Sequence, residues 1–409
     1  MQLLRWCGYC RLDGGKCGGG ADNESLHRVY RAFTLALTIA YLLQECVYAY
    51  QERHDMDKVA RVMFLLLCHI TSIAKQLVFY LDADRVEHLV TGLDDPLYNQ
   101  QAGGARRLLE ATATWASRFV RMYSGCAVVT CTLWIIFPVI YHLRGQQVEF
   151  PFWIGVDYSN SHWFAAVLLY SYYVTTLVGI ANTTMDAFMA TVLNQCKTQL
   201  TILRLNFKSL PERAAAAAGA GAVCRARHDA ALMTALLQCL AHYKHIVDTA
   251  GLLQRIFGTA ILIQFAIGGW ILCMAAYKIV SVSKLFIDSL RRGAECYYIC
   301  VLCPQLSMLS IEFASMVLFT SCILTELFLY CYYGNEVTVE VSNRLVESIY
   351  SMEWVETGVR FKRALLIVME RAKRPLRPAA GLIIPLSLDT FVKIIKSSYT
   401  FYAVLRQTK

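Results

Sequence analysis

The sequence predicts an all-α membrane protein with seven transmembrane helices, the N-terminus cytoplasmic and the C-terminus extracellular. Three observations carry this. Hydrophobic residues make up 56% of the 409 and charged residues only 17%, a balance that points to lipid as the main solvent. Crossing the roughly 30 Å apolar core takes about 20 mostly apolar residues, and the stretches 30–50, 60–81, 120–143, 163–186, 256–280, 297–333 and 385–409 supply them. Lysine and arginine then collect in alternate connections. Segment 194–255 holds Lys197, Arg204, Lys208, Arg213, Arg225, Arg227, Lys244 and Arg255, and 334–384 is as basic, whereas loop 144–162 holds only Arg144. Basic loops stay inside. The net charge of +9, spread in this way, reports orientation and lipid contact and not nucleic-acid binding. Loop 281–296 is the mild exception, outside yet holding Lys284, Arg291 and Arg292.

Residues 1–29 form a polar, Gly-rich cytoplasmic segment with no cleavable leader pattern. Region 30–193 holds the first four spans. Gln44 and Glu45 lie near the outer end of the first. The second carries His69 and Lys75 inside its apolar run. Lys75 reads as snorkelling to the inner surface, and His69 as a packing or a cavity residue. Residues 82–119 read as an amphipathic cytoplasmic link with Leu89, Leu93 and Leu97 on one face. In the third span Trp134, Phe137 and Tyr141 repeat beside Pro138, which should free backbone groups there. The outer loop that follows is aromatic, as suits an interface.

The fourth span opens with Tyr170, Tyr172 and Tyr173, and its apolar pattern runs on through Leu193, Leu200 and Leu203 into the cytoplasm. Region 194–255 is a cytoplasmic loop and helix interrupted by an Ala-rich link at 213–227. Region 256–333 holds spans five and six, the sixth opening with Tyr297, Tyr298 and Leu302 before Pro304. Region 334–384 is cytoplasmic, with helix expected over 338–373. The last helix, 385–409, sets Leu388, Phe391, Ile395, Tyr399, Tyr402 and Leu405 on one stripe and Asp389, Lys393 and Lys396 on another. Asp389 and Lys393 have the spacing of a helical ion pair.

Nine of the sixteen cysteines fall in spans, where they act as small packing residues. Cys7, Cys10 and Cys17 lack the second ligand pair of a zinc site. Phosphate-loop, dinucleotide, zinc-hydrolase and serine-hydrolase motifs are absent from the sequence, so neither an enzyme nor a cofactor is expected.

Three segments resemble insect odorant receptors: LLQCLAHYKHIV at 236–247, YYGNEVTVEVSNRLVESIYSMEW at 332–354, and RPAAGLIIPLSLDTFVKIIKSSYTFYAVLRQ at 377–407. The likeness is dense over about the last 170 residues and rests upstream on span count, orientation and length. The resemblance implies an odorant-gated, non-selective cation channel in the plasma membrane of a sensory neuron dendrite. In it a tuning subunit joins a shared co-receptor subunit in a heterotetramer. It implies a pore lined by the last helix, with a gate at Val404 and with Gln407 and Thr408 at the mouth, although co-receptors usually carry an apolar residue in place of Thr408. It implies cytoplasmic anchor helices between subunits. It places a small volatile, weakly polar odorant in the outer membrane half between spans two, three, four and six. There His69, Trp134, Phe137, Tyr141, Tyr170, Tyr173, Leu177, Tyr297, Tyr298 and Leu302 are the candidate contacts. The short, Ala-rich region before span five and the closing KSSYTFYAVLRQ are of the tuning type. A gustatory receptor of the same superfamily is the near alternative, but Gln407 lacks the Phe that should follow it. A G-protein-coupled receptor is the distant one, lacking its third- and seventh-span motifs.

Overall fold

A computed structural model describes residues 21–99, 103–145, 148–155, 160–218, 225–295, 299–373 and 376–407. Within these, the elements are α1 (Ala21–Gln51), α2 (Met56–Leu81), α3 (Ala83–Leu93), α4 (Gly103–Leu143), α5 (Ser161–Lys208), α6 (Leu210–Ala218), α7 (Arg225–Glu295) and α8 (Ile299–Val339). A π-helical turn at Glu340–Leu345 leads into α9 (Val346–Tyr350) and α10 (Val359–Ala372). A hairpin of β1 (Ala379–Ala380) and β2 (Ile384–Pro385) precedes the closing helix α11 (Leu388–Gln407).

Five of the described helices are long and apolar enough to cross a bilayer, six when the pair α2 and α3, bent by 78° at Asp82, counts as one span. The closing helix fails that test on charge, through Asp389, Lys393, Lys396 and Arg406. It is the seventh span of the sequence reading and the most polar.

Two cores divide the molecule. Inside the membrane, Phe79, Met185, Met189, Phe257, Leu327 and Tyr330 pack together from α2, α5, α7 and α8. Lipid tails are as apolar as these side chains, so close packing and polar contacts hold this core. Below it Leu200, Phe207, Leu236, Leu345, Phe361 and Leu365 make a second core, from α5, α7, the π turn and α10. That core faces water, so burial of each large apolar side chain there contributes about 1.5–3 kcal/mol.

Helices α5 and α7 thread both cores. The former has 48 residues and the latter 71, about 105 Å of unbroken helix. The backbone of α7 continues through residues 281–295, so the basic residues expected in an outer loop lie on a helical extension. The Ala tract expected as a link also forms helix α6, with Pro211 in its first turn, where the missing N–H costs nothing. Pro138 is accommodated inside α4 without ending it. The single helix expected over 338–373 is instead divided by a break at 351–358, where Trp354 Nε1 donates to the Tyr350 carbonyl at 3.2 Å.

The β1–β2 hairpin turns through Gly381 and Leu382, both at positive φ (57° and 62°). Gly381 N–H donates to the Gly258 carbonyl on α7 at 2.8 Å. A Cβ on Gly381 would collide with Leu262, and one on Gly334 of α8 with Leu386. Backbone therefore meets backbone on both sides of the entry to α11.

On α11 the buried positions are Thr390, Ser398 and Tyr402. Ser398 Oγ donates to the Gly269 carbonyl of α7 at 3.0 Å, and the Phe391 ring meets Phe328 edge-on at 5.5 Å. The apolar stripe of the sequence reading turns outward in part: Tyr399 is 68% exposed in the single chain.

Candidate functional site

The outer halves of α2, α4, α5 and α8 do not close on one another. They leave an outer chamber of about 260 Å³ lined by Val62, Leu65, Trp134, Ile135, Tyr172 and Met316 among others. Two further elements complete it. Tyr41 and Tyr48 enter from α1, and Glu149, Phe150 and Pro151 come from the loop that folds back over the top. That loop is pinned by Trp153 N–H to the Gln44 carbonyl at 3.1 Å and by a small outer core of Tyr41, Phe152, Phe164 and Val174. At the mouth, Lys58 Nζ lies 3.0 Å from Glu149 and 3.4 Å from Glu52. Such a solvent-exposed pair is worth under about 1 kcal/mol.

Beneath it an inner chamber of about 100 Å³ reaches toward the membrane midplane, lined by residues that include His69, Tyr123, Gly179, Asn182, Phe319 and Glu326. Leu65, Cys131, Trp134 and Thr175 line both chambers. Trp134 is held by stacking on Phe319, ring centroids 5.7 Å apart.

The floor is charged. Lys75, 1% exposed, donates to Asn182 Oδ1 at 2.9 Å and Glu326 Oε1 at 2.6 Å, and also to Asp186 Oδ1. Tyr330 O–H donates to the same Asp186 oxygen at 2.6 Å. Lys75 therefore does not snorkel. Three donors of one ammonium meet three acceptors from α5 and α8, which is what an isolated charge at this depth requires. Asp186 and Glu326 escaped the sequence reading. An Asp in NTTMDAF and a Glu in ILTELF, each set in an apolar run, were the signal for a partner to Lys75.

His69 is 2% exposed, with Nδ1 2.9 Å from the Leu65 carbonyl and 3.1 Å from Glu45 Oε2. Glu45, read as lying near an outer end, is fully buried. Of the other candidates, Trp134 and Tyr141 line the outer chamber. Tyr170 lies behind the wall, donating from its hydroxyl to Gln44 Oε1 at 3.0 Å. Tyr173 is 47% exposed and Leu177 half-buried, and neither lines a chamber. The wall residue is Tyr172, one position away, with Leu168, Ser171 and Thr175 on its face. The side chains of Phe137, Leu302 and Gln407, and the whole of Tyr297, Tyr298 and Thr408, lie outside the described residues. Val404 is 52% exposed near the outer end of α11.

The cytoplasmic assembly has its own polar seam. His242 Nε2 pairs with Gln199 Oε1 at 2.9 Å, Gln199 Nε2 donates to the Tyr98 carbonyl at 3.0 Å, and Tyr98 O–H donates to Thr249 at 3.0 Å. Burial, and secondarily His245 nearby, push the His242 ring down to about 4. Among the described residues no cluster suits a metal ion, and the nine cysteines whose side chains are described are free thiols.

The fold is a helical membrane bundle with a mostly apolar chamber above a helical base. The family model for the 7tm odorant receptor matches residues 55–311 and 296–399, and the chain belongs to that insect receptor family. It is 23% identical to odorant receptor 46a, isoform B, of Drosophila melanogaster, over 95% of this chain and 92% of that one. It is likewise 23% identical to odorant receptor Or1 of Anopheles gambiae, over 94% and 90%. Odorant receptor 94a of Drosophila melanogaster is 25% identical over 69% of this chain and 61% of its own length. Among solved structures, the fold is similar to the insect olfactory receptor OR5 from Machilis hrabei, with a TM-score of 0.78 at 16% identity, covering 100% of this chain and 96% of that one. The same receptor in complex with eugenol matches as well, at 15% identity. The all-α, seven-span membrane fold expected from the sequence is thereby established.

Proposed function

We infer that this chain is the tuning subunit of a heterotetrameric, odorant-gated, non-selective cation channel in the plasma membrane of sensory dendrites, paired with a co-receptor subunit. The observation that carries this reading is the coexistence of two features. One is a mostly apolar chamber enclosed in the outer membrane half, suited to a small volatile molecule. The other is a closing helix that leaves most of its circumference uncovered in the single chain, including Val392, Tyr399 and Val404. A span with charged residues on its open side is suited to a water-filled path shared by several subunits. Val404 forms the hydrophobic gate near the outer end, Gln407 and Thr408 flank the mouth, and the 194–255 and 334–384 regions anchor one subunit to the next.

Voltage-clamp recording from oocytes tests this directly. The chain expressed with a co-receptor should give odorant-evoked cation current, and the chain alone little or none. Strong current from the single subunit would refute the obligate partner. Inside-only staining of a C-terminal tag on intact cells would refute the channel topology.

A further inference from the structure

We propose that the ligand this receptor is tuned to carries a hydroxyl group, an alcohol or phenol, whose oxygen enters the inner chamber and hydrogen-bonds His69 Nε2. The inference rests on the function proposed above and narrows its ligand class.

The argument starts from hydrogen bonds already made. Thr130, Thr175 and Thr183 line the inner chamber, yet their hydroxyls donate back to the helix carbonyls of Cys126, Ser171 and Gly179 at 2.8, 2.7 and 2.9 Å. Asn182 Oδ1 and Glu326 Oε1 accept from Lys75. The Tyr123 hydroxyl donates to the Cys322 carbonyl at 3.1 Å. These groups give a ligand little reason to prefer them. His69 Nε2 differs: it is buried, it belongs to a chamber-lining residue, and it has no hydrogen-bond partner among the described residues. A buried polar atom left unpaired is costly, and a ligand that satisfies it recovers that cost on binding.

The geometry also selects the partner group. A carbonyl oxygen only accepts, so Nδ1, 2.9 Å from the Leu65 carbonyl, carries the proton. In the neutral ring Nε2 is then an acceptor. In a charged ring Nε2 is a donor instead. A hydroxyl answers either state, because it both donates and accepts. An ether or ester answers only the charged ring, and a hydrocarbon neither. Size agrees, since about 100 Å³ admits a hydroxyl and a few carbons, while the larger outer chamber takes a ring or alkyl body against Trp134 and Tyr172.

Matched pairs test it: hexanol against hexyl methyl ether, and benzyl alcohol against benzyl methyl ether, applied to cells carrying this chain with the co-receptor. Wild type should respond to each alcohol at a concentration at least about tenfold lower than to its ether, equivalent to about 1.4 kcal/mol. His69→Asn keeps an amide donor for the Leu65 carbonyl but has no atom at Nε2, and should bring each pair within about threefold. His69→Gln, whose amide extends toward the Nε2 position, should restore part of the preference. Equal potency of alcohols and ethers in wild type would overturn the inference, as would current evoked by esters or hydrocarbons and by no alcohol. Those comparisons need no variant, so a misfolded mutant cannot shield it. Silence to every odorant, with both subunits at the surface, would overturn the channel reading and this inference together.

Discussion

Neutralising Lys75 should be the most damaging single change in the membrane core. Its ammonium holds Asp186 and Glu326, and both carboxylates are 2% exposed or less. With all three ionised the cluster carries one surplus negative charge, and removing the cation leaves two carboxylates facing each other out of water. Breaking a buried pair in this way costs about 3–5 kcal/mol. Total stability is on the order of 5–15 kcal/mol, so Lys75→Gln removes about a fifth or more of it. Glu326→Gln acts in the opposite sense. Its amide oxygen can still accept from Lys75, and the remaining Lys75–Asp186 pair is balanced one to one, so a loss within about 1 kcal/mol is expected. Surface biotinylation, with thermal unfolding of the detergent-solubilised protein, separates the two. Lys75→Gln should be largely retained inside the cell and melt at least about 5 °C lower, while Glu326→Gln should stay near wild type. Equal behaviour of the two variants, or a wild-type melting point for Lys75→Gln, would refute the claim that these charges depend on one another.

Three further outcomes are expected. Trp134→Ala, which opens the wall common to both chambers, should raise the half-maximal odorant concentration at least about tenfold, while Tyr173→Ala, nearly half exposed and off the wall, should shift it less than about threefold; dose–response curves at matched surface expression decide. Val404→Ser should increase odorant-free leak, because a hydrophobic ring closes a pore by dewetting. Lys393→Gln should change ion permeability little, since Lys393 is paired with Asp389 at 2.7 Å; the opposite ranking in bi-ionic recordings would move the narrow point inward. The third concerns pH. His242 stays neutral in the folded protein down to about 4, whereas the unfolded chain takes up its proton below about 6.5, so stability falls with pH across that window. The fall approaches about 1.4 kcal/mol per pH unit from this residue. His242→Gln should flatten the melting-temperature profile between about pH 6.5 and 4.5, and an unchanged slope would assign the pH dependence elsewhere.

Much of this molecule was legible before its coordinates. Apolar runs of bilayer length mark the spans, and the overrun of the fourth span into the cytoplasm followed from Leu193, Leu200 and Leu203, all of them buried. Partnership across spans was harder to read. Lys75 meets acids 111 and 251 residues away, and nothing local in the second span distinguishes that from snorkelling. Telling Tyr172 from Tyr173 was hard for a different reason. Neighbouring helix positions point about 100° apart, so an aromatic doublet cannot reveal its own face. The steps from Leu168 to Ser171, Tyr172, Thr175, Gly179 and Asn182, all chamber-lining, do reveal it. The apolar stripe of α11 does not mark its packed face, which uses the small Ser398 for close approach to Gly269.

The tight hairpin at the foot of α11 has a mechanical meaning. Main chain lies against main chain at Gly258 and Gly381, and a side chain on Gly334 has no space, so the inner end of the helix is fixed like an axle in its bearing. From Leu388 to Val404 the shaft rises about 24 Å, and a tilt of only about 5° displaces its tip by about 2 Å. In the channel proposed above, such a tip moving outward would widen a constriction with almost no travel at the base. On that reading, leverage lets a small odorant open a wide assembly, with the moving part at the far end of the rod from its pivot.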